Sequence, residues 1–266
     1  MADPLPIELD RALRAAGPQL APLCRRVLFF TRNGSTNDVA LESAETDGEG
    51  LVVIADEQTA GRGRQGHVWH SPPGSGLYVS VVLRPPQKSG ETPTPGLLTL
   101  GAGVSLAEAI EAVTGLRADI KWPNDLLVGR RKLAGILAES VSGPSGLVVL
   151  GYGINVSTRA FPADVADRAT SLETELGRPV DWAAVCVETI AAIARRHRDL
   201  LGGRFDVILD AWRSRSPSSH QRRVAWDTPA GYESGTTAGI DDRGALLVRV
   251  GARLERIVGG SVTWLD

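Results

Sequence analysis

Cysteine is nearly missing from this 266-residue chain. Cys24 and Cys186 are its two thiols, set far apart without CxxC spacing, which excludes a disulfide framework and a zinc knuckle and fits a reducing, cytoplasmic setting. A charge excess of either sign is also absent. Lys and Arg total 29 against 31 Asp and Glu, so a nucleic-acid backbone is not expected as the main partner. No apolar run approaches the length of a membrane span, and residues 1–10 do not read as a signal peptide, so no membrane partner is expected. The four histidines, His67, His70, His197 and His220, make no HExxH or other paired-ligand spacing, and neither GxSxG nor a Walker GxxxxGK[ST] occurs. A metal ligand set is therefore left unassigned. Lysine is the other scarcity: only Lys88, Lys121 and Lys132 are lysine, and two of these fall in one short block where a compact ammonium serves better than a guanidinium fork.

What is present has the pattern of a mixed sheet with hairpin connections. Helical spacing over 7–16 stops at Gly17-Pro18, and a short strand follows at 27–30. Ser35-Thr36-Asn37-Asp38 supplies N-cap residues for a helix to about residue 45, and 51–55 reads as a buried strand. A glycine-rich basic loop spans 58–75. Beyond it come a strand at 77–83, ended by Pro85-Pro86 and a polar stretch to Pro95, and a helix over 97–113. Strands 125–128 and 132–139 flank Gly129-Arg130-Arg131 as a hairpin, a strand follows at 147–156, and helices are predicted at 169–176, 181–201 and 204–213. The composition changes at 214–219. After it, short β segments at 223–225, 235–240, 245–250, 255–258 and 261–265 alternate with turns such as Asp242-Arg243-Gly244, predicting a small SH3-like β-barrel. The expected architecture is α+β: a mixed-sheet catalytic domain flanked by helices over 1–219, with 1–26 as a helical extension, and the barrel over 220–266. The roughly 30 residues before the first motif are about half of what a helix-turn-helix unit needs, so no DNA-binding domain is expected there.

Three segments carry candidate chemistry. Gly61-Arg62-Gly63-Arg64-Gln65-Gly66 follows a strand and matches GxGxxG, but His67-Val68-Trp69-His70-Ser71-Pro72 stands where a dinucleotide fold requires a helix. Its glycines permit a backbone nest and its arginines suit phosphate or carboxylate oxygens, with Trp69 able to cover a ring; alone, it reads equally well as a solvated loop. Lys121-Trp122-Pro123-Asn124-Asp125 packs a cation, an aromatic, an amide and a carboxylate ahead of a hairpin. An asparagine amide suits a purine edge and a lysine suits a phosphate, although such a segment can be only a capped turn. Lys132 opens a strand in which Gly135 either admits a ligand to the backbone or marks a bulge.

Taken together, Ser35-Thr36-Asn37, EQTAGRGRQGHVWHSPPGSGLYVSVVLRP at 57–85, KWPNDLLVGRRKLAGILAE at 121–139 and GYGINV at 151–156 resemble the biotin protein ligases in order and spacing. With the barrel, the resemblance spans about residues 27–266, and the class it suggests is the one without a DNA-binding domain. It implies a class II synthetase-like catalytic fold and two reactions at one site. Biotin and MgATP give biotinyl-AMP and pyrophosphate, and a lysine of a biotin carboxyl carrier domain of an acyl-CoA carboxylase then attacks the mixed anhydride. By the same resemblance Ser35, Thr36, Asn37 and Gln58 hold the ureido and valerate regions, and Gly61, Arg62 and Arg64 fold over the adenylate. Lys132 meets the biotin carboxylate and α-phosphate, Lys121, Asn124 and Trp69 serve the nucleotide, and Gly135, Ile136, Gly153 and Asn155 line the pocket. Lys132, Arg64 and Asp125 are the expected catalytic residues. Gln65 and His67 depart from the more arginine-rich form of the loop. The same-fold alternative is a lipoate or octanoate ligase or transferase.

Overall fold

The computed structural model describes residues 2–86, 95–157, 161–228 and 231–265; Lys88 and most of the polar stretch before Pro95 lie outside them. Helix α1 (Ile7–Ala16) precedes the first strand, β1 (Arg26–Phe30). Its parallel neighbour is β2 (Leu51–Ala55), because α2 (Thr36–Asp47) returns the chain between them. All five residues of β2 are buried, as its unbroken apolar sequence requires of a strand covered on both faces. Strands β3 (Gly76–Leu83), β4 (Asp119–Lys121), β5 (Asp125–Val128), β6 (Arg131–Ser140) and β7 (Val148–Asn155) complete a seven-stranded mixed sheet in the order β1-β2-β3-β7-β6-β5-β4. The predicted β5–β6 hairpin forms, but its turn is two residues, Gly129 (φ +60°) and Arg130, because Arg131, expected in the turn, pairs with Val128. Between Leu126 and Leu127 the β5–β6 register shifts, so the extra residue, Leu133, makes the bulge near Gly135. Strand β4 was not foreseen, its three residues being too few for a periodic signal.

Helices α3 (Pro95–Thr114), α5 (Trp182–Leu201) and α6 (Phe205–Arg213) pack together over one face, and α2 covers the other with Ala40 and Ala44 against Val53, Val82 and Val149. Residues Gly96–Thr114 form a helix whose length and mean composition would suffice to cross a bilayer, although Glu108 and Glu111 interrupt its apolar run. The stretch is 67% buried against the protein, and Glu108 and Glu111 pair with Arg196 and Arg215, so its apolar content serves the core.

The helix expected over 169–176 is shorter. Only α4 (Leu172–Leu176) is helical, capped by Ser171, whose hydroxyl accepts from Thr174 N. Ala169 pairs with Lys132 as an isolated bridge and Thr170 N donates to the Lys132 carbonyl, which holds the preceding residues extended against β6. Beyond a 3-10 turn at Pro217–Ser219, strands β8 (His220–Thr228), β9 (Gly231–Ile240), β10 (Leu246–Val250), β11 (Arg253–Ile257) and β12 (Val262–Trp264) form an antiparallel sheet in the order β11-β10-β9-β8-β12. Strands β8 and β9 extend past the segments read from sequence, where polar residues interrupt the apolar pattern. The core is continuous with the main sheet: Val224, Trp226, Ile240, Leu246 and Val248 belong to the same buried cluster as Val79 and Leu150. Cys24 and Cys186, distant in sequence, come within electrostatic range of each other; burial pushes the Cys186 thiol up to about 12 and the Cys24 thiol up to about 11.

Candidate functional site

A cavity of about 230 Å3 opens above β6 and β7, between the 58–75 loop, the β4–β5 connection and β12. One end is neutral and polar. Ser35 occupies the N-cap of α2, yet its side chain makes no capping bond, and its hydroxyl is buried beside the cavity. Gln58 supplies the cap from across the site: its Oε1 accepts from Thr36 N at 2.8 Å and from Thr36 Oγ1 at 3.1 Å, while its Nε2 donates to Ser71 Oγ at 3.0 Å. The Ser80 hydroxyl donates to Asn37 Oδ1 at 2.6 Å and lies 2.8 Å from Thr36 Oγ1. Strand β7 passes close beneath. A Cβ on Gly151 would stand 2.0 Å from Asn37 Oδ1, so only glycine leaves room for this network.

The other end is cationic. Lys132 Nζ lies 2.6 Å from Asp125 Oδ1, a geometry that places the Asp125 carboxylate against the lysine. Arg64 and Lys121 feel the same carboxylate. Burial pulls the pKa of each below its ordinary value and Asp125 opposes that shift; for Lys121 the neighbouring Lys132 adds a second downward push. Three cations thus share one carboxylate in a partly desolvated pocket, which leaves a site suited to an anion. Lys121 Nζ also sits 5.3 Å from the centre of the Trp264 ring, so β12 closes this end.

Trp69 joins the two halves. Its indole lies along β6 and β7, where a Cβ on Gly153 would meet Nε1 at 2.4 Å and one on Gly135 would meet Cζ3 at 3.1 Å. Lys132 Nζ lies 5.3 Å from the ring centre, and the indole N–H is buried without a hydrogen-bond partner.

The 58–75 loop contains a small hairpin. Trp69 N donates to Gly61 O at 2.9 Å and Gly63 N to His67 O at 2.7 Å, with Gln65 (φ +56°) and Gly66 (φ +77°) turning the tip. A left-handed Gln is an uncommon conformation for a residue with a Cβ. Arg62, Arg64 and Trp69 of this loop reach the cavity.

Most of the residues read from the sequence line this cavity: Ser35, Thr36, Asn37, Gln58, Arg62, Arg64, Trp69, Lys121, Asn124, Asp125, Lys132, Gly135, Ile136 and Gly153. Two do not. Asn155 turns away because its Nδ2 donates to Thr170 O at 3.0 Å and is 3.4 Å from Lys132 O, bracing the segment before α4. Gly61 sits behind the hairpin, where a Cβ would meet the Trp69 carbonyl at 2.4 Å; it serves close packing of the stem. Asn124 lines the wall, but its Nδ2 is spent on Ile136 O at 2.8 Å, leaving the oxygen for other contacts. Sequence reading missed the β12 wall at Gly260, Ser261, Val262 and Trp264, and Glu139, which holds Asn37 Nδ2 at 2.6 Å. Glu139 lies within the quoted 121–139 motif, and its place on β6 could have flagged it.

Comparison with known proteins gives concordant findings. Residues 29–155 match the model of the biotin/lipoate A/B protein ligase family. The chain is 37% identical over 233 residues to the bifunctional ligase/repressor BirA of Bacillus spizizenii, covering 86% of this chain and 70% of that protein. It is 35% identical to the biotin--[acetyl-CoA-carboxylase] ligase of Paracoccus denitrificans, covering 83% of this chain and 93% of the relative. Among solved structures, the Aquifex aeolicus biotin protein ligase in complex with biotin and ATP superposes with a TM-score of 0.80 at 28% identity, covering 90% of this chain and 99% of that one.

Proposed function

The chain belongs to the biotin protein ligase family, and from that premise we propose how its cavity divides the work of ATP-dependent biotin ligation. Biotin and ATP are the substrates. In the first step a biotin carboxylate oxygen attacks the α-phosphorus and pyrophosphate leaves; in the second a carrier-domain lysine amine attacks the carbonyl of biotinyl-AMP, and AMP departs with the bridging oxygen. The observation that carries the division is the convergence of Arg64, Lys121 and Lys132 on Asp125 at one end of a cavity whose other end presents hydroxyl and amide groups.

We assign the neutral end, with Ser35, Thr36, Asn37 and Gln58, to the ureido ring, whose donors and acceptors match hydroxyl and amide groups. Octanoate offers that end nothing polar, which supports biotin over an aliphatic acid. Lys132 is assigned to stabilise charge as the acid meets the α-phosphate, with the Trp69 ring beneath it. Lys121 with Trp264 behind it, and Asn124, serve the nucleotide, so residues 220–266, read as an SH3-like module, wall the ATP half. Asp125 is the group available to orient or deprotonate the carrier lysine, whose ordinary pKa of about 10.4 leaves little free amine at neutral pH. Magnesium is assigned to the MgATP substrate, carried on the nucleotide phosphates. The free thiols support a reducing cytoplasm as the setting.

Incubation with labelled biotin, ATP and a biotin carboxyl carrier domain, with octanoate as competing acid, tests the reading. Label should appear on the carrier only with ATP and resist octanoate; octanoylated carrier in its place would reject it.

A further inference from the structure

The two arginines of the hairpin are not equivalent. Arg62 lies in the stem, where one terminal guanidinium nitrogen is 2.7 Å from Asp38 Oδ1 on α2 and 2.9 Å from Glu139 Oε2 on β6. That nitrogen donates a hydrogen bond to Glu139 and makes a charge contact with Asp38. Glu139 Oε2 also accepts from Asn37 Nδ2, whose Oδ1 takes the Ser80 hydroxyl in the buried sheet. Arg62 is therefore tied through Glu139 to the polar end of the cavity and through Asp38 to the first turn of α2. Arg64, at the tip, is half-buried over the cavity and has Asp125 as its charged neighbour.

We infer that Asp38 and Glu139 are positioning residues that clamp the hairpin through Arg62, holding it over the reaction intermediate and leaving Arg64 as the arginine that meets the anion. The inference rests on the ligase reading of this site. It assigns a function to two acidic side chains outside the cavity wall and gives Arg62 a role in anchoring instead of phosphate binding. The ends of the loop are joined by neutral bonds such as Gln58 N to Ser71 O, whereas this clamp is ionic and spans three elements. Its strength should consequently fall with salt.

A double-mutant cycle in the full-length protein tests it, using Asp38→Asn, Arg62→Gln and the pair. Each protein is allowed to form adenylate from labelled biotin and ATP, chased with unlabelled biotin, and followed for release of biotinyl-AMP. Each single variant should speed release about 3- to 10-fold, the scale of a networked, partly exposed ion pair. The double variant should release no faster than Arg62→Gln, which already loses both carboxylate partners, and 1 M salt should bring the parent close to that rate. Pyrophosphate formation in a single turnover by Asp38→Asn should stay within about 2-fold of the parent, a split that general unfolding would not produce. Release at the parental rate from both single variants, or fully additive effects, would overturn the clamp. A ligand-free readout separates this from the ligase reading: trypsin cleavage after Arg64 should be several-fold faster in Asp38→Asn and in Glu139→Gln, which keeps an acceptor for Asn37. Unchanged cleavage refutes the clamp whether or not adenylate forms, while absence of adenylate in the parent refutes only the ligase reading.

Discussion

Replacing Lys132 with alanine removes one cation from the anionic end and leaves the fold in place. The side chain is 35% exposed, and the structural bonds at this position use its backbone: the Lys132 carbonyl accepts from Thr170 N at 2.9 Å and survives the change. What is lost is the ammonium 2.6 Å from Asp125 and 5.3 Å from the Trp69 ring centre. Losing one preorganised donor to developing charge costs about 2.7–4 kcal/mol, or roughly 10²- to 10³-fold in rate. The Asp125 carboxylate is then balanced by Arg64 and Lys121 alone, so less positive charge is left to face the incoming phosphate, which pushes the loss toward the upper figure. Lys132→Arg keeps the charge but not the fit, because Nζ already lies 3.3 Å from where a Cβ on Gly135 would be. It should recover only part of the rate. The assay is single-turnover pyrophosphate release with saturating biotin and ATP, paired with thermal melting of each variant. A folded Lys132→Ala protein that releases pyrophosphate at the parental rate would falsify the assignment of this lysine to charge stabilisation.

Four further outcomes are expected. Arg64→Gly should let biotinyl-AMP escape before transfer and label bystander lysines, and equal retention of adenylate by mutant and parent counts against that role. Asp125→Asn should slow transfer from preformed biotinyl-AMP more than it slows adenylation; a parental transfer rate would leave the carboxylate a partner of Lys132 and nothing more. Trp264→Ala removes the ring facing Lys121 and should raise KM for ATP about 3- to 10-fold with biotin binding unchanged, as a cation–π contact of this kind permits; an unchanged KM refutes the nucleotide assignment of β12. This point change is cleaner than truncation after Ser219, which would also strip Trp122 Nε1 of its acceptor, Gly244 O at 3.1 Å, and open the shared core. In alkali, the unfolded thiols lose protons from near pH 9, while folded Cys24 and Cys186 hold theirs to about 11 and about 12, so stability is intact below pH 9 and falls as pH rises through that window. Urea midpoints at pH 8 and 10.5 should differ less in Cys186→Ala than in the parent; an identical drop would exclude the thiol as a cause.

The sequence was most legible where chemistry is local. Asp125 and Lys132 lie on one hairpin, so their approach follows from the turn at Gly129 once the strands are placed, Lys121 joins them from the neighbouring strand four residues earlier, and the loop that carries Arg64 announces itself by its glycines. The division of labour between Arg62 and Arg64 was hidden, because Asp38 and Glu139 reach Arg62 from α2 and β6 and nothing in a linear pattern marks an acidic residue as someone else's partner. Trp264 was invisible for the same reason: it meets Lys121 only after the second sheet docks on the first. Asn155 and Gly61 were misplaced because membership of a motif does not separate residues that touch the cavity from those that brace its walls. The start of α4 was misjudged because tertiary pairing of Ala169 with Lys132 overrode local helical preference.

The paired absence of side chains at Gly151 and Gly153 makes part of the cavity floor bare backbone, with Asn37 and Trp69 resting directly on it. A floor of that kind can be filled by mutation but never deepened, since no residue is smaller than the one already there. Attempts to redesign the ligase for a bulkier acid therefore have no room to gain from β7 and must take it from movable walls, such as the hairpin or the β12 edge. Drift at these two positions runs in one direction only, toward a narrower pocket and a displaced indole.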